Sequence, residues 1–337
     1  MNKPEKKLAV IVVLYNGEKY IPNLCATLKK QTETIDEVIV VDNSPNNLSA
    51  EIFKNCYPQA VIYKQQVNLD FCRGYNFGLQ KSHGDYLLIL NQDLILAENA
   101  MFLLKQALVK NPNLGAVSPK LYCLQAGQER SIILDSMGIF GTKARCFYNL
   151  GEGKQDHNQY QNIAPFGISG TAILFRKEAL IDIALNGGGE KQEYFDADFV
   201  AYKDDIDLAY RLRHRNWQIA LVPEAVMYHE RKAQELKATK GVFKDRQLKS
   251  WRIRSNSWRN HLWVLLKNEP WENLLRHSPW ILWYELKKII FILFFEPSTL
   301  RCLPSFFKGL KKMLKKRRAI LNSSEISAQQ LRKSIIY

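Results

Sequence analysis

Short apolar runs, each leading into a helical stretch, constrain this chain of 337 residues more than any other feature. Leu8-Ala-Val-Ile-Val-Val-Leu14 is rich in β-branched residues and stops at the turn signal Asn16-Gly17; helical spacing follows, with Leu24 and Leu28 four apart. Glu37-Val-Ile-Val-Val41 ends at Asp42-Asn43-Ser44-Pro45, Ala60-Val-Ile-Tyr63 is a third run, and Tyr86-Leu-Leu-Ile-Leu90 ends at Asn91-Gln92-Asp93. Runs of this length do not alternate apolar with polar, so both faces must be covered. With helices between them, they predict a mostly parallel sheet with helices on both faces.

Such sheets bind ligands at the carboxyl ends of their strands. Here those ends are polar: Tyr15-Asn16-Gly17, Asp42-Asn43-Ser44 and Asn91-Gln92-Asp93. Further on, Ala172-Ile-Leu-Phe175 and Ile219-Ala-Leu-Val222 have strand character, and residues 177–184 and 206–215 have helical character. Residues 120–165, rich in Gly, Gln and Asn, read as an excursion or lid, and Asn186-Gly-Gly-Gly189 as a flexible loop. A boundary is expected near residue 230, dividing a strand-and-helix domain over 1–230 from a helical region over 231–337 rich in Trp, Lys and Arg.

The strand-end residues can be assigned chemistry. Asp42 can accept a hydrogen bond from the ring N–H of uracil or thymine, or it can simply cap a turn. Asp93, beside Asn91, can hold Mg²⁺ or Mn²⁺ against phosphate oxygens, since hard cations prefer oxygen. Asp204-Asp205-Ile-Asp207 places three carboxylates at a helix start, where the dipole tolerates them. Crowded carboxylates raise one another's pKa, which suits a general base. Asp207 can pair with Arg211 four residues on, leaving Asp205 the freer base with Asp204 beside it. His229 follows a strand and can complete a metal site or bind phosphate. Phe71-Cys-Arg73-Gly74-Tyr-Asn76-Phe-Gly78 lacks the dinucleotide fingerprint but could cradle phosphate through Arg73 and its helix start.

In order, these segments resemble the family 2 glycosyltransferases of the GT-A fold, and within them the rhamnosyltransferase-like branch. The matching stretches are Val10-Ile-Val-Val-Leu-Tyr-Asn-Gly17, Val40-Val-Asp-Asn-Ser44, Asn68-Leu-Asp-Phe-Cys-Arg-Gly-Tyr-Asn-Phe-Gly78, Leu88-Ile-Leu-Asn-Gln-Asp93, Ile168-Ser-Gly-Thr171 and residues 195–229. They span roughly two-thirds of the chain. The resemblance implies an inverting, metal-dependent transferase that moves a sugar, rhamnose in that branch, from a dTDP- or UDP-sugar donor to a hydroxyl. The acceptor would be a cell-surface glycan or a lipid-linked glycan. It implies Asp205 as base, with Asp204 beside it. Tyr15, Asn16, Asp42, Arg73, Asn76, Asn91 and Asp93 would stand at the donor, Ser169, Gly170 and Thr171 in the sugar and acceptor pocket, and Asp93 with His229 at the metal. Two departures stand out: Asn91 replaces the first aspartate of D-x-D, and Lys203 stands where tryptophan is frequent. A catalytically silent nucleotide-sugar-binding or membrane scaffold protein on the same fold is the alternative, but such a relative would be free to lose the acidic pair.

Composition bears on the remainder. The formal charge is +15, and residues 299–320 contain no acid but eight basic residues. Nucleic acid is a poor fit, since no recognition motif accompanies the charge. Trp271, Trp280 and Trp283, an apolar run at 289–295 and the basic block suit helices lying on an anionic membrane surface. The expected location is cytoplasmic, peripheral on the inner face of the plasma membrane. Six cysteines without C-x-x-C spacing fit reduced, mostly buried thiols.

Overall fold

A computed structural model describes residues 6–124, 130–160, 163–185, 192–230 and 250–336. The glycine loop expected at 186–189 and the boundary expected just past 230 fall outside them. The strands are β1 (Leu8–Leu14), β2 (Glu37–Asp42), β3 (Val61–Lys64), β4 (Tyr86–Asn91), β5 (Leu94–Leu96), β6 (Leu114–Leu124), β7 (Leu134–Ser136), β8 (Ile139–Gly141), β9 (Phe147–Asn149), β10 (Ala172–Arg176) and β11 (Gln218–Glu230). The helices are α1 (Ile21–Lys29), α2 (Leu48–Cys56), α3 (Asp70–Lys81), α4 (Ala100–Lys110), α5 (Lys177–Asp182), α6 (Asp204–His214), α7 (Trp251–Asn268), α8 (Trp271–Arg276), α9 (Ser278–Phe295), α10 (Leu303–Asn322) and α11 (Ala328–Ile335).

The main sheet runs β3-β2-β1-β4-β10-β6-β11-β5, with β7 attached to β6. Strand order reverses around β1, which pairs in parallel with both β2 and β4. Period-two side-chain alternation sorts the core into two layers. Ala9, Ile11, Ile39, Val41, Leu87 and Ile89 face one layer, whereas Val10, Val12, Val38, Val40, Leu88 and Leu90 face the other. The second layer is closed by α1, α2 and α4 through Leu24, Phe53 and Met101.

The expected sheet and covering helices are present, and two details refine the reading. The sheet is mixed at its centre, because β10 runs antiparallel between β4 and β6. Strand direction is a property of the pairing, and no local pattern encodes it. The stretch 120–165 is also not wholly an excursion. Its first residues complete β6, β7 pairs back onto that strand, and β8 and β9 form a hairpin.

The C-terminal helices share the first core layer. Trp263 and Val264 of α7, Met313 of α10, and Leu331 and Ile335 of α11 lie in one buried cluster with Ile11 and Ile39. Buried charge fixes them further. Arg145, fully buried, forms a two-pronged pair with Glu269 at 2.8 Å for each prong, and the Tyr210 hydroxyl of α6 donates to the same carboxylate at 2.5 Å.

Candidate active site

Register brings the strand ends together. Asp42 lies beside Leu14, Asn91 beside Val13, and Ala172 beside Leu90. The Tyr15 backbone N–H donates to Gln92 Oε1 (2.9 Å) while Gln92 Nε2 donates back to the Tyr15 carbonyl (3.0 Å). The Asn91 N–H donates to the Thr171 carbonyl at 3.0 Å, and the Ser169 and Thr171 hydroxyls are 3.0 Å apart. A methyl group added at Gly170 would lie 3.7 Å from Asp204 Oδ2 and 3.8 Å from Asp205 Cβ. Strand ends, the 169–171 turn and the acidic pair therefore line one continuous region. Tyr15 and Asn16 are exposed at its edge, and Asn16 adopts a positive φ of 49°.

Asp204 and Asp205 open α6. Burial pushes both carboxyls up; for Asp204 the charge of Asp205 adds to it, whereas Lys203 and the N–H groups of Ile206 and Gly170 restrain Asp205. Asp205 is half-buried and Asp204 nearly enclosed, so Asp205 is the more accessible of the two. Asp207 is taken up by Arg211 (3.0 Å), as its spacing predicts, and also by Lys267 (2.6 Å).

The approach to this helix is strained. Val200, Tyr202 and Lys203 have φ of 67°, 72° and 65°, each costing about 1–3 kcal/mol for such residues. Three hydrogen bonds hold them there. Asn260 Nδ2, fully buried on α7, donates to the carbonyls of Phe199, Ala201 and Tyr202 at 2.8, 2.9 and 2.8 Å. Just upstream, Asp196 receives Lys267 of α7 and Lys316 of α10, each at 2.5 Å.

At the other edge, antiparallel pairing of β11 with β5 sets His229 opposite Leu94. His229 Nε2 is then 3.2 Å from Asp93 Oδ2, and Nδ1 is 2.8 Å from Asp135 Oδ2. Burial alone would lower the imidazole pKa, but the hydrogen bonds its ring N–H groups donate to Asp135 and Asp93 lift it to about 9. A carboxylate on Nδ1 is the arrangement that orients a metal-binding histidine. Once Nε2 gives up its proton, Asp93 and His229 offer one oxygen and one nitrogen to a cation. Among the described residues no group of three His, Cys, Asp or Glu side chains could hold a metal. The donor set suits an ion that completes its shell with phosphate oxygens and water.

Three of the residues expected at the donor have protein partners in this structure. Asp42 is fully buried, accepting from Lys64 Nζ and the Ser44 N–H at 2.8 and 2.9 Å. Contact with a base requires Lys64 to move away. Asn76 spends its amide on the backbone of Tyr194 and Phe195, so it holds the segment leading to Asp196. Arg73 pairs with Asp70 at 3.0 Å on the exposed side of α3, and the glycines beside it serve packing: a Cβ at Gly78 would come within 2.5 Å of Ile11 Cγ2.

Asp135, Lys64, Asn260 and Lys267 were not singled out from the sequence. For the last two a signal existed, since Asn260, Val264, Lys267 and Asn268 share one face of α7 at helical spacing, and polar residues among buried apolar ones are uncommon.

Comparison with known proteins places this geometry. The family described as Glycosyl transferase family 2 matches residues 9–184. A poly-β-1,6-N-acetyl-D-glucosamine synthase of Staphylococcus epidermidis is 23% identical over 224 residues, covering 66% of this chain and 49% of that protein. The Staphylococcus aureus enzyme of the same name is 25% identical over 223 residues, with the same coverage. The chain thus spans about half the length of these curated relatives. Among solved structures, GalNAc-T7 with UDP, GalNAc and Mn²⁺ superposes with a TM-score of 0.59 at 12% identity, over 79% of this chain and 48% of that one. S. aureus TarS 1-349 gives 0.53 at 16% identity, over 97% and 90%. At such identities the structures establish the fold, which is GT-A with a helical C-terminal region.

Proposed function

Because this chain belongs to glycosyl transferase family 2, we propose that it moves a sugar from a nucleoside diphosphate donor to an acceptor hydroxyl with inversion, using Asp205 as the base. The observation that carries this reading is the acidic pair: two carboxyls with raised pKa on a strained helix start, held beside Gly170. Asp205 takes the proton of the acceptor hydroxyl as its oxygen attacks the anomeric carbon opposite the diphosphate. A single in-line displacement of that kind inverts the centre. Asp204, whose own carboxyl is pushed up to about 8 by burial and by the charge of Asp205, holds a proton more readily and leaves Asp205 the ionised member of the pair.

Tyr15 and Asn16 flank the donor at the end of β1, and Asp42 meets the ring N–H of the base once Lys64 swings aside. Asp93 and His229 would hold Mg²⁺ or Mn²⁺, which offsets charge on the departing diphosphate. Asp135 holds the His229 ring with Nε2 towards Asp93. The motif resemblance supports a dTDP-linked deoxy sugar such as rhamnose. The names of the relatives support a UDP-linked N-acetylhexosamine and a glycan acceptor.

The test is nucleoside diphosphate release from dTDP-rhamnose, UDP-GlcNAc and UDP-GalNAc, with Mn²⁺, Mg²⁺ or chelator, beside Asp205→Asn. Release from one donor, dependent on the cation and reduced by roughly 10²–10⁴ in the variant, is the expected result. Donor binding without turnover under any condition, with acceptor glycans supplied, would make the chain a silent binding protein.

A further inference from the structure

Helix α9 is packed on one side only. Ile281 and Ile292 are its buried residues, and its sole acid, Glu285, turns inward to His261 at 2.6 Å. The opposite side is apolar and open: Leu282, Trp283, Leu286, Ile290, Leu293 and Phe294 are 46–76% exposed. The outward positions carry one charge, Lys287, whose ammonium lies 5.4 Å from the Trp283 ring. A water-facing helix surface is normally polar, and a contiguous apolar one marks a site of contact.

The next helix supplies charge to match. After α9 the chain bends sharply: the segment Ser278–Phe295 meets the segment Pro297–Asn322, which opens with a short 3-10 turn over Pro297–Cys302, at 111°. Along α10 the basic residues divide by direction. Lys312 and Lys316 reach acids of the 193–198 segment, and Arg317 donates to the Leu266 and Glu269 carbonyls. Lys308, Lys311, Lys315 and Arg318 stand exposed on the other side, with Phe307 and Leu314 at the margin of that face.

We propose that the outer faces of α9 and α10 dock this protein on an anionic lipid membrane, with α9 lying in the interface plane and the α10 lysines on the headgroups. Among the described residues no single helix is long and apolar enough to cross a membrane, whereas Trp beside an apolar face flanked by lysines is the composition of an interfacial helix. Exposed lysines argue against a second protein chain as occupant, since protein interfaces are depleted in them. Docking is independent of the donor chemistry, so its failure and that of the transferase reading are separate events.

The experiment is cosedimentation of the full chain with vesicles of phosphatidylcholine alone or mixed with phosphatidylglycerol. The expected result is binding to the anionic vesicles. Leu286→Glu with Ile290→Glu should weaken it at least tenfold, and each of Lys308→Gln, Lys311→Gln and Lys315→Gln about fivefold. Both substitution sets lie on exposed positions that carry none of the site residues, so donor release in lipid-free buffer serves as the folding control and should be unchanged. Failure of the wild type to bind, or binding untouched by either set, overturns the proposal. A dimer in lipid-free buffer that Leu286→Glu dissolves would also overturn it and assign the face to a second copy.

Discussion

At the strand ends, near and distant neighbours share the work: Asp42 accepts the N–H of Ser44, two residues on, and the Lys64 ammonium, 22 on, while Tyr15 and Gln92 clasp each other across 77 residues. The acidic loop is held from far away. Asp196 meets Lys267 across 71 residues and Lys316 across 120, and Asn260 reaches Tyr202 across 58. The first region is tied together through the sheet that presents it. The second forces a loop into positive φ and supplies the restraint through helices that carry no site residue themselves. In this chain the acidic pair therefore depends on the helices packed behind it, and the strand ends do not.

The comparison is broken if the two regions respond alike to substitution. Lys267→Met leaves Asp196 and Asp207 buried with fewer partners, and is expected to lower unfolding free energy by ~3–5 kcal/mol in a denaturant titration. Asp205→Asn removes a desolvated carboxylate whose ionisation the fold opposes, so the same titration should show no loss of stability while turnover collapses. A midpoint unchanged by Lys267→Met would mean that the C-terminal helices do not buttress the loop.

Asn260→Ala sharpens the contrast. It removes one hydrogen bond from each of three carbonyls and releases the strained approach to α6, so kcat should fall about tenfold as the proposed base loses its position. The donor KM should move little, because the strand-end contacts remain. A KM change of the same size as the kcat change would place Asn260 in donor binding.

The smallest effect concerns pH. The base works ionised, and its folded pKa is raised, so turnover should decline as pH falls while ordinary carboxylates are still charged. Lys203 restrains that shift; Lys203→Gln removes its charge and should move the rising limb of the pH–rate profile further up, by a few tenths of a unit. A limb moving down would mean that Lys203 does not face the base.

Much of the fold was legible in local pattern. The apolar runs of β1, β2, β4 and β10 and the helices α1 and α6 lie where periodicity placed them, because burial on both faces leaves an unbroken apolar signature. β6 and β5 were not read as strands. β6 is interrupted by Gly115, Ser118 and Pro119 and earns its place by pairing with β11. The three residues of β5 are too few to show a period. Within the site, the spacing of Asp207 and Arg211 announced their pair, and the strand-end position of Asp93 made it a candidate. Asp135 gave no sign, since its partner His229 is 94 residues away.

The sequence by itself determined that this chain builds a helix-covered sheet with polar strand ends and an acidic helix start. Those features depend on residues within a few positions of one another, where spacing dictates direction. Only the tertiary structure decided that β10 enters antiparallel, that Asn76 clamps a loop, and that a lysine and an asparagine of α7 hold the acidic segment. Such contacts join residues tens of positions apart, and their energy comes from mutual burial, which no stretch of chain displays until the other has packed against it.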